Sequence, residues 1–287
     1  MIEIKGLTKD YGAGRGVFDL DLTIKKGEVL GYLGPNGAGK TTTIRHLLGF
    51  IKADSGSAYI DGLNTIEKRE LIMRKVGYLP AETAFFDGMN GREFLDFISG
   101  MHQLSSTTFR NELIDRFEID TNVGLRKMSK GMKQKIALVA AFMHQPEVLI
   151  LDEPTSGLDP LMQREFNELI LEEKQRGATI LMSSHSFDEV ERTCDRIAII
   201  RQGKLVVVED IDTIKSKQKK YFEIEFSSID DANRFVSEFG GELNNRLVKV
   251  AVTADLNTFI ATLLNYDVTN LVSQSASLEE VFMHYYK

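Results

Sequence analysis

Apolar and polar residues alternate near the start of the chain in a pattern that predicts short β-strands. From Phe18 to Ile24 every second residue is apolar, which is the period of a strand with one buried face. Residues 28–33 form a shorter, mostly apolar run that leads into a glycine-rich turn. After that turn, apolar residues recur at helical spacing up to Leu48. This part of the chain therefore predicts a strand, a turn and a helix in succession.

In the second half of the chain, apolar strands alternate with helices. Residues 148–151 are wholly apolar, and residues 161–176 have a helical pattern that Gly177 closes before another strand at 178–182. Wholly apolar strands that alternate with helices are typical of a parallel sheet covered on both faces. The intervening residues 92–145 are more polar and helical. We therefore predict an α/β fold with a parallel core sheet.

The composition changes around residues 209–220, where an acidic stretch is followed by a lysine-rich one. We place a domain boundary there, between a main domain at 1–215 and an accessory domain at 221–287. Beyond the boundary we predict strands at 221–226 and 247–252 and helices at 230–239 and 256–264, which together form a small α+β unit. We interpret the basic run 215–220 as a solvated linker, with contact to anionic lipid as the alternative.

Charge and cysteine content exclude several classes of protein. The 287 residues include 35 Lys or Arg and 42 Asp or Glu, so the net charge is −7 and the chain lacks the broad basic field of a sequence-independent DNA-binding protein. We therefore predict no nucleic-acid partner. A single cysteine, Cys194, excludes an internal disulfide and indicates a reducing compartment. The N-terminus lacks a signal-peptide pattern, and no apolar run approaches the ~20 residues that span a bilayer.

Residues 34–41, Gly-Pro-Asn-Gly-Ala-Gly-Lys-Thr, match the phosphate-binding loop G-x-x-x-x-G-K-[ST] in full. The loop lies between a predicted strand and a predicted helix, which is the context in which this motif binds phosphate. Its glycines let backbone N–H groups close around phosphate oxygens, and its lysine reaches the β- and γ-phosphates. We predict that a nucleotide is bound by the following residues of this segment: Gly34, Asn36, Gly37, Ala38, Gly39, Lys40, Thr41 and Thr42.

Two carboxylates follow the apolar strand at 148–151. Asp152 ends the strand, and we predict that it holds Mg²⁺ together with the hydroxyl of Thr41. The side chain of Glu153 is expected on the other face, towards a water molecule that attacks the γ-phosphate, where it would act as general base. A phosphate-binding loop by itself leaves a GTPase, a small-molecule kinase, a motor and a transport ATPase open.

Further segments resemble the ATP-binding cassette (ABC) ATPases. Residues 151–159, Leu-Asp-Glu-Pro-Thr-Ser-Gly-Leu-Asp, resemble the Walker B segment and D-loop of that family. Residues 183–185, Ser-Ser-His, resemble the segment that carries its switch histidine. Residues 128–135 resemble the family signature, and the resemblance covers about residues 1–215. It implies the P-loop NTPase fold of an ABC ATPase domain, with a parallel core sheet, an antiparallel β subdomain and a helical subdomain at about 92–145, followed here by the small α+β domain.

Within the family, the chain is most similar to stand-alone ATP-binding subunits of ABC-2-type exporters. This resemblance implies an ATPase that uses ATP and Mg²⁺, works as a homodimer or as a dimer with a related subunit, and drives a separate transmembrane permease. Such a subunit lies at the cytoplasmic face of the cell membrane, where the permease holds it. The alternative hypothesis is a soluble ABC ATPase that is not coupled to transport. Such relatives usually have two cassettes in one chain or a long coiled-coil insertion, and neither is found in this sequence.

Two other hypotheses have less support. A GTPase would carry an Asn-Lys-x-Asp motif, which is not found, and a kinase would leave the signature unexplained. A non-catalytic partner subunit is disfavoured because Lys40, Asp152 and Glu153 are all present.

The resemblance assigns the catalytic set and the D-loop to particular positions. Lys40 and Glu153 would act with His185, which in the family contacts the γ-phosphate and reports its presence. Asp159 falls in the D-loop.

The signature is predicted to act in the opposite subunit of a dimer. Ser129 is expected to cap a helix whose free N–H groups attract an anion. In the family that anion is the γ-phosphate bound by the partner, so Ser129, Lys130 and Gly131 would complete the partner's site. Lys130 stands where the family has its first signature glycine, and Met132 where it has a glutamine.

Five residues outside the phosphate-binding loop have a predicted role and, for most of them, an alternative one. Ala81 stands where the family has its Q-loop glutamine, and Glu82 next to it either supplies an oxygen near the metal or is solvated. Tyr11, in a glycine-flanked loop, is predicted to stack on adenine rather than to be an ordinary surface or core tyrosine. Phe85 and Phe86 are candidates for a groove that receives a cytoplasmic helix of the permease, with ordinary packing as the alternative.

Overall fold

The computed structural model describes residues 1–217, 220–252 and 256–275. Part of the predicted accessory domain, residues 276–287, and part of the basic run 215–220 lie outside the described residues. The chain divides into two compact units, Met1–Ile211 and Asp212–Lys287.

The N-terminal unit contains a four-stranded antiparallel sheet with the order β2-β1-β4-β5. The alternation that predicted strand β2 is visible in its burial, because Leu20, Leu22 and Ile24 are buried while the residues between them are exposed. The bounds of the four strands are β1 (Ile2–Asp10), β2 (Gly16–Ile24), β4 (Ser55–Ile60) and β5 (Leu63–Asn64).

A six-stranded sheet with the order β10-β9-β3-β8-β7-β6 forms the centre of the same unit. Its bounds are β3 (Val29–Leu33), β6 (Val76–Leu79), β7 (Val148–Asp152), β8 (Thr179–Ser184), β9 (Arg196–Arg201) and β10 (Lys204–Asp210). Five strands are parallel, as the apolar runs predicted, and each residue of β3, β7 and β8 is buried. The edge strand β10 is antiparallel because a two-residue turn, Gln202-Gly203, returns the chain directly beside β9.

The helices of this unit cover the central sheet or form the predicted helical region between residues 92 and 145. Gly177 ends α6 in the left-handed conformation, as predicted for that glycine. The bounds are α1 (Lys40–Leu47), α2 (Arg69–Met73), α3 (Gly91–Met101), α4 (Thr108–Arg116), α5 (Lys130–Phe142), α6 (Pro160–Arg176) and α7 (Phe187–Thr193), and α8 (Ile211–Lys217) follows at the boundary of the two units.

The C-terminal unit has the element order β-α-β-β-α-β and a four-stranded antiparallel sheet, β12-β13-β11-β14. The bounds are β11 (Lys220–Phe226), α9 (Ile229–Phe239), β12 (Glu242–Asn244), β13 (Leu247–Val252), α10 (Leu256–Leu263) and β14 (Val268–Ser275). Its core contains Phe222, Ile224, Phe235, Val250 and Phe259. The sequence pattern predicted β11, β13 and both helices but missed β12 and β14, which lack regular alternation.

No helix within residues 1–217, 220–252 and 256–275 is both long enough and apolar enough to cross a bilayer.

Candidate functional site

The predicted phosphate-binding loop connects the buried strand β3 to helix α1. The Nζ atom of Lys40 donates a hydrogen bond to the carbonyl oxygen of Gly34 at 2.6 Å and contacts that of Pro35 at 3.4 Å, so the lysine folds back along its own loop. The residues at the tip of the loop, Asn36 and Gly37, are exposed. The loop therefore has an exposed tip and one buried cation that is held against its own backbone.

Two glycines of the loop are required by the close packing around them. Gly39 has φ +115°, and a Cβ there would lie 2.8 Å from the Val17 side chain. At Gly34, a Cβ would lie 2.5 Å from the carbonyl oxygen of Ile200 on the adjacent strand β9. The backbone path of the loop is thus set by contacts with β2 and β9 as well as by its own sequence.

Other residues of the loop are fixed by backbone and side-chain hydrogen bonds. The Ala38 carbonyl accepts a hydrogen bond from the Gly203 N–H at 2.9 Å. The Thr42 carbonyl lies 2.8 Å from Nδ1 of the buried His46 one helical turn later. These contacts hold the loop and the first turn of α1 in one conformation.

Lys40 is almost completely buried, with a side-chain exposure of 6%. Burial lowers the pKa of its ammonium group, while the nearby carboxylates of Glu153 and Asp152 act in the opposite direction. Lys40 Nζ lies 3.7 Å from Oε1 of Glu153. Because a buried cation gains from additional negative partners, this position is suited to phosphate oxygens.

Asp152 ends β7 at the same edge of the sheet and is 1% exposed. Its Oδ2 accepts a hydrogen bond from the Thr41 hydroxyl at 2.8 Å, and its Oδ1 accepts one from the Ser183 hydroxyl at 2.5 Å. The structure thus brings together the two residues that were predicted to hold Mg²⁺. Ser183 reaches Asp152 because the two residues are register partners in the parallel strands β7 and β8.

Glu153 follows directly and has an unusual backbone conformation. Its φ is +50°, in the left-handed region that non-glycine residues rarely occupy. Its N–H donates to both the carbonyl oxygen of Ser183, at 3.2 Å, and the Ser183 hydroxyl, at 3.0 Å. This arrangement turns the Glu153 side chain away from Asp152 towards Lys40 and His185, and leaves it 24% exposed.

His185 lies on the exposed side of this carboxylate. Its Nδ1 is 3.7 Å from Oε2 of Glu153, and its side chain is 69% exposed. Glu153 therefore lies between a buried cation and an accessible imidazole. A carboxylate in that position can accept a proton from water next to a phosphoryl group.

The start of α5, which carries the predicted signature, packs on residues 154–159 of the same chain, which we name the D-loop segment. Lys130 Nζ donates to the Ser156 hydroxyl at 3.1 Å, and the Gln134 side chain donates to the Pro154 carbonyl at 2.8 Å. A Cβ at Gly131 would lie 2.7 Å from the Gly157 carbonyl oxygen, so only glycine fits there without a shift.

Ser129 caps α5, as predicted, because its hydroxyl oxygen accepts the Met132 N–H at 3.2 Å. Asp159 has the same role in α6, where its carboxylate accepts the N–H groups of Leu161 and Met162 at 3.1 and 3.0 Å. The D-loop aspartate thus fixes the entry into α6 within its own chain.

The structure does not bring every predicted residue to the phosphate-binding loop. Among contacts of the described residues, no hydrogen bond joins Ser129, Lys130 or Gly131 to residues 34–41. Glu82 is exposed, next to the half-buried Ala81, and within the described parts of the chain it forms no ion pair or hydrogen bond with Thr41, Asp152 or Glu153.

Tyr11 lies in the loop between β1 and β2, where its N–H donates to the Arg15 carbonyl at 2.8 Å. Its ring is 49% exposed, and Lys9 Nζ lies 5.9 Å from the ring centroid. The end of this loop borders the phosphate-binding loop, since a Cβ on Gly39 would lie 3.2 Å from the Gly16 carbonyl oxygen. Tyr11 therefore presents an exposed aromatic ring on a loop whose end borders the phosphate-binding loop.

Sequence reasoning missed three residues that organise the site. Ser183 was noted only as the start of the switch segment, and the pairing of the two apolar strands is the signal that would have placed it opposite Asp152. Gln134 lies in the segment 128–135 that resembles the signature, but nothing in the sequence predicted its contact with Pro154. Residues 186–189 have the pattern of a capping box, which predicts a helix start and no role in the site for Glu189, yet Glu189 is 7% exposed beside the His185 turn.

Comparison with known proteins agrees with this geometry. A family model described as ABC transporter matches residues 17–156. The bacitracin transport ATP-binding protein BcrA of Bacillus licheniformis is 39% identical over 240 residues, which are 82% of this chain and 77% of that protein.

Two solved structures have the same fold. The structure described as an ATP binding subunit of an ABC transporter is 31% identical, has a TM-score of 0.70, and is matched over 76% of this chain and 92% of that one. A dimeric bacterial ABC transporter cassette, MJ0796, has a TM-score of 0.67 at 22% identity, over 74% of this chain and 99% of that one, and at this identity shows the fold alone. The predicted ABC ATPase fold is confirmed. With its phosphate-binding loop and paired carboxylates, this chain belongs to the ATP-binding proteins of ABC transporters and is an ATPase of that family.

Proposed function

We propose that this chain hydrolyses ATP, with Mg²⁺, in a closed dimer and that the closure drives a separate transmembrane permease, as in an exporter. The observation that carries the proposal is the position of Glu153, whose two carboxylate oxygens lie 3.7 Å from Lys40 and 3.7 Å from His185. The proposed base, Glu153, thus lies between a cation that would bind phosphate and an imidazole that would contact the γ-phosphate. A role in transport is supported by the relative named for bacitracin transport.

In this proposal the triphosphate binds along the loop at 34–41. Backbone N–H groups of Gly37, Ala38 and Gly39 donate to phosphate oxygens, and for this the Ala38 N–H leaves the Pro35 carbonyl, to which it donates at 3.1 Å. Lys40 moves its hydrogen bond from the Gly34 carbonyl to the β- and γ-phosphates. Thr42 continues the first turn of α1 at the phosphate end. Gly34 allows the loop to pack closely against β9, and Asn36 lies at its exposed tip.

The oxygens of Thr41 and Asp152 fit a magnesium site. They lie 2.8 Å apart at the end of β7, and hydroxyl and carboxylate oxygens are the ligands that Mg²⁺ prefers. The remaining coordination positions of this ion are usually taken by water and phosphate oxygens, so two protein ligands suffice. Bound there, Mg²⁺ would neutralise charge on the β- and γ-phosphates. Ser183 holds Asp152 in place through the second carboxylate oxygen.

Hydrolysis then requires one proton to leave the attacking water. Glu153 accepts that proton while Lys40 stabilises negative charge on the phosphoryl oxygens. His185 donates a hydrogen bond to the γ-phosphate and so couples the occupancy of the site to the position of the turn at 184–186.

The base of ATP would stack on Tyr11. We expect Tyr11→Ala to weaken ATP binding about 10-fold, since one base stacked on an aromatic ring contributes roughly 1–3 kcal/mol. Binding of inorganic triphosphate, which has no base, is expected to be unchanged in the same titration. Tyr59→Ala is a matched control, because Lys5 Nζ lies 5.3 Å from the Tyr59 ring much as Lys9 lies near Tyr11. Equal ATP affinities of Tyr11→Ala and the control would remove Tyr11 from the site.

The signature would bind the γ-phosphate of the opposite subunit. Ser129 uses its side-chain oxygen as a cap, which leaves other N–H groups in the first turn of α5 free for an anion. Lys130 adds a cation at this helix start, and Gly131 keeps α5 close to the D-loop segment that carries Asp159. The MJ0796 cassette, which has the same fold, is described as dimeric, and a dimer is what this arrangement requires.

The energy of γ-phosphate binding is sufficient to close a dimer. Shifting a two-state equilibrium from 1:99 to 99:1 takes about 5.5 kcal/mol. Two symmetric sites each supply half of that with two or three charge-assisted hydrogen bonds of about 1.5–3 kcal/mol.

Ser129→Arg tests the dimer. We expect the variant to bind ATP as a monomer with unchanged affinity but to form no ATP-dependent dimer, because the arginine side chain would occupy the space of the partner's γ-phosphate. Size-exclusion chromatography with ATP, in a chain that also carries Glu153→Gln to slow hydrolysis, measures this directly. Ser105→Arg, at an exposed serine between α3 and α4, is the control. A Ser129→Arg chain that dimerises like the control would contradict the assignment.

The permease is proposed to dock at an apolar cleft between β6 and the helices α3 and α5. The cleft has a volume of about 240 Å³ and is lined in part by Tyr78, Phe85, Phe94 and Ala140. Phe86, 56% exposed, packs edge-on against another exposed ring on α3 at 5.5 Å. Ala81 and Glu82 lie in the segment that leads from β6 into this cleft. Docking there would place the chain at the cytoplasmic face of the membrane.

We further propose that residues 1–215 are the ABC ATPase domain, with its helical subdomain at about 92–145, and that residues 221–287 are an accessory domain. The division of the chain into two compact units near residue 211 supports this arrangement.

A further inference from the structure

Glu189 is a buried carboxyl group that the mechanism above does not use. It lies in the first turn of α7, is 7% exposed, and lines a cleft of about 500 Å³ together with Thr155 of the D-loop segment and His185. A buried acidic side chain beside a reaction centre requires a physical explanation, because burial of a charge without a matching partner is costly.

The hydrogen bonds of Glu189 hold the turn that carries His185. Its Oε2 accepts from the Ser184 hydroxyl at 2.6 Å, and the Ser184 hydroxyl oxygen accepts from the Ser186 N–H at 2.9 Å. The Ser186 hydroxyl oxygen accepts the backbone N–H of Glu189 at 3.5 Å. Both neighbours of His185 in the chain are thus tied to Glu189, while His185 itself is exposed.

The second carboxyl oxygen, Oε1, is buried and has no hydrogen-bond partner among the described residues. Burial raises the pKa of the Glu189 carboxyl group, and the carboxylate of Glu153 raises it further, whereas Ser184, Thr155 and His185 lower it. The other charged residues that line the cleft are Arg164 of α6 and Asp188 and Arg192 of α7. Glu189 therefore interacts electrostatically with both Glu153 and His185.

We propose that Glu189 is a positioning residue of the hydrolytic site, which anchors the His185 turn to α7 through Ser184 and Ser186. The proposal rests on the proposed function, in which His185 contacts the γ-phosphate. In this proposal Glu189 acts through His185 rather than on the nucleotide itself. It fixes the position of His185 relative to Glu153, and when protonated it adds no charge that would repel the Glu153 carboxylate.

Two substitutions separate anchoring from charge. Glu189→Ala removes both, and we expect kcat to fall at least 10-fold, the effect of losing one hydrogen bond to a charged or buried carboxyl group. The Kd for ATP is expected to stay within about twofold, because the Lys40 loop does not contact Glu189. Glu189→Gln keeps an acceptor for Ser184, so its kcat at neutral pH is expected to remain close to that of the wild type.

The pH profile of kcat is a readout that a merely structural residue would not change. In the wild type, ionisation of Glu189 as pH rises through its raised pKa places a second negative charge near Glu153, so kcat is expected to fall. Glu189→Gln cannot ionise, and we expect that fall to disappear. The two proteins differ only at residue 189, so a difference between their profiles reports the charge of Glu189 and its interaction with Glu153 and His185.

The same ionisation links pH to stability. A carboxyl group whose pKa is raised in the folded state stabilises the fold below its ordinary pKa and loses that contribution as pH rises through the raised value. We therefore expect the Tm of Glu189→Gln to exceed that of the wild type at alkaline pH and the gap to close on acidification. This measurement requires no ATPase activity.

Asp188→Asn is the matched control, because Asp188 is an exposed neighbour on the same helix. It is expected to keep the wild-type kcat and pH profile. If Glu189→Ala does not fold, Glu189→Gln alone decides: kcat and Tm profiles identical to those of the wild type would overturn the proposal. A wild-type chain that hydrolyses no ATP would instead contradict the proposed function, which is a different result.

Discussion

Glu153→Gln is expected to bind ATP as tightly as the wild type and to hydrolyse it about 10²–10⁴-fold more slowly, the usual contribution of a general base. The amide keeps the size of the side chain and its place between Lys40 and His185, and the left-handed backbone at residue 153 is unchanged. With the γ-phosphate retained, the closed dimer is expected to accumulate. Phosphate release measures the first effect, and size-exclusion chromatography with ATP measures the second.

Glu147→Gln is a suitable control for this substitution. Glu147 immediately precedes β7, just as Glu153 immediately follows it, but its side chain is 54% exposed and paired with Lys75. We expect the control to have normal turnover and no trapped dimer. Normal turnover in Glu153→Gln itself would show that another group accepts the proton.

The second large effect is expected for Lys40→Ala, which removes the cation from the phosphate-binding loop. Two charge-assisted contacts to phosphate, each of about 1.5–3 kcal/mol, correspond to a loss of ATP affinity of about 100-fold or more. Isothermal titration with ATP measures the change. The exposed Lys52→Ala, also in the N-terminal unit, is expected to leave affinity unchanged.

Thermal unfolding without nucleotide distinguishes lost binding from lost structure in this variant. Lys40→Ala loses the hydrogen bond to the Gly34 carbonyl, which destabilises the fold. It also removes an ammonium group whose burial is unfavourable, as the lowered pKa of Lys40 indicates, and this stabilises the fold. These effects oppose each other, so we expect a Tm close to that of the wild type. An unchanged ATP affinity in a normally folded variant would contradict the role given to Lys40.

Much of the nucleotide site could be predicted from the sequence because its parts are local. The strand, the glycine-rich loop and the helix at 29–47 are contiguous in the sequence, so one motif predicts the whole phosphate-binding segment. Asp152 could be placed beside Thr41 because parallel strands end at the same edge of a sheet. Ser129 followed from the preference of serine for helix starts.

The rest depends on contacts between distant segments. The left-handed conformation of Glu153 has no local signal, since it results from two hydrogen bonds to Ser183 of the neighbouring strand. The anchoring of Ser184 by Glu189 is equally invisible in a pattern of polar residues. In the C-terminal unit, β14 was missed because its sequence, Val-Thr-Asn-Leu-Val-Ser-Gln-Ser, lacks the alternation of a half-buried strand.

The packing of α5 on the D-loop segment has a consequence for how two catalytic centres would behave together. Lys130, Gly131 and Gln134 contact residues 154–157, which follow Glu153 without a break. The first turn of α5 therefore cannot shift without displacing the peptide next to the base of its own subunit. In a dimer, an anion captured by α5 at one centre would alter the geometry of the other, so the two turnovers would be cooperative rather than independent.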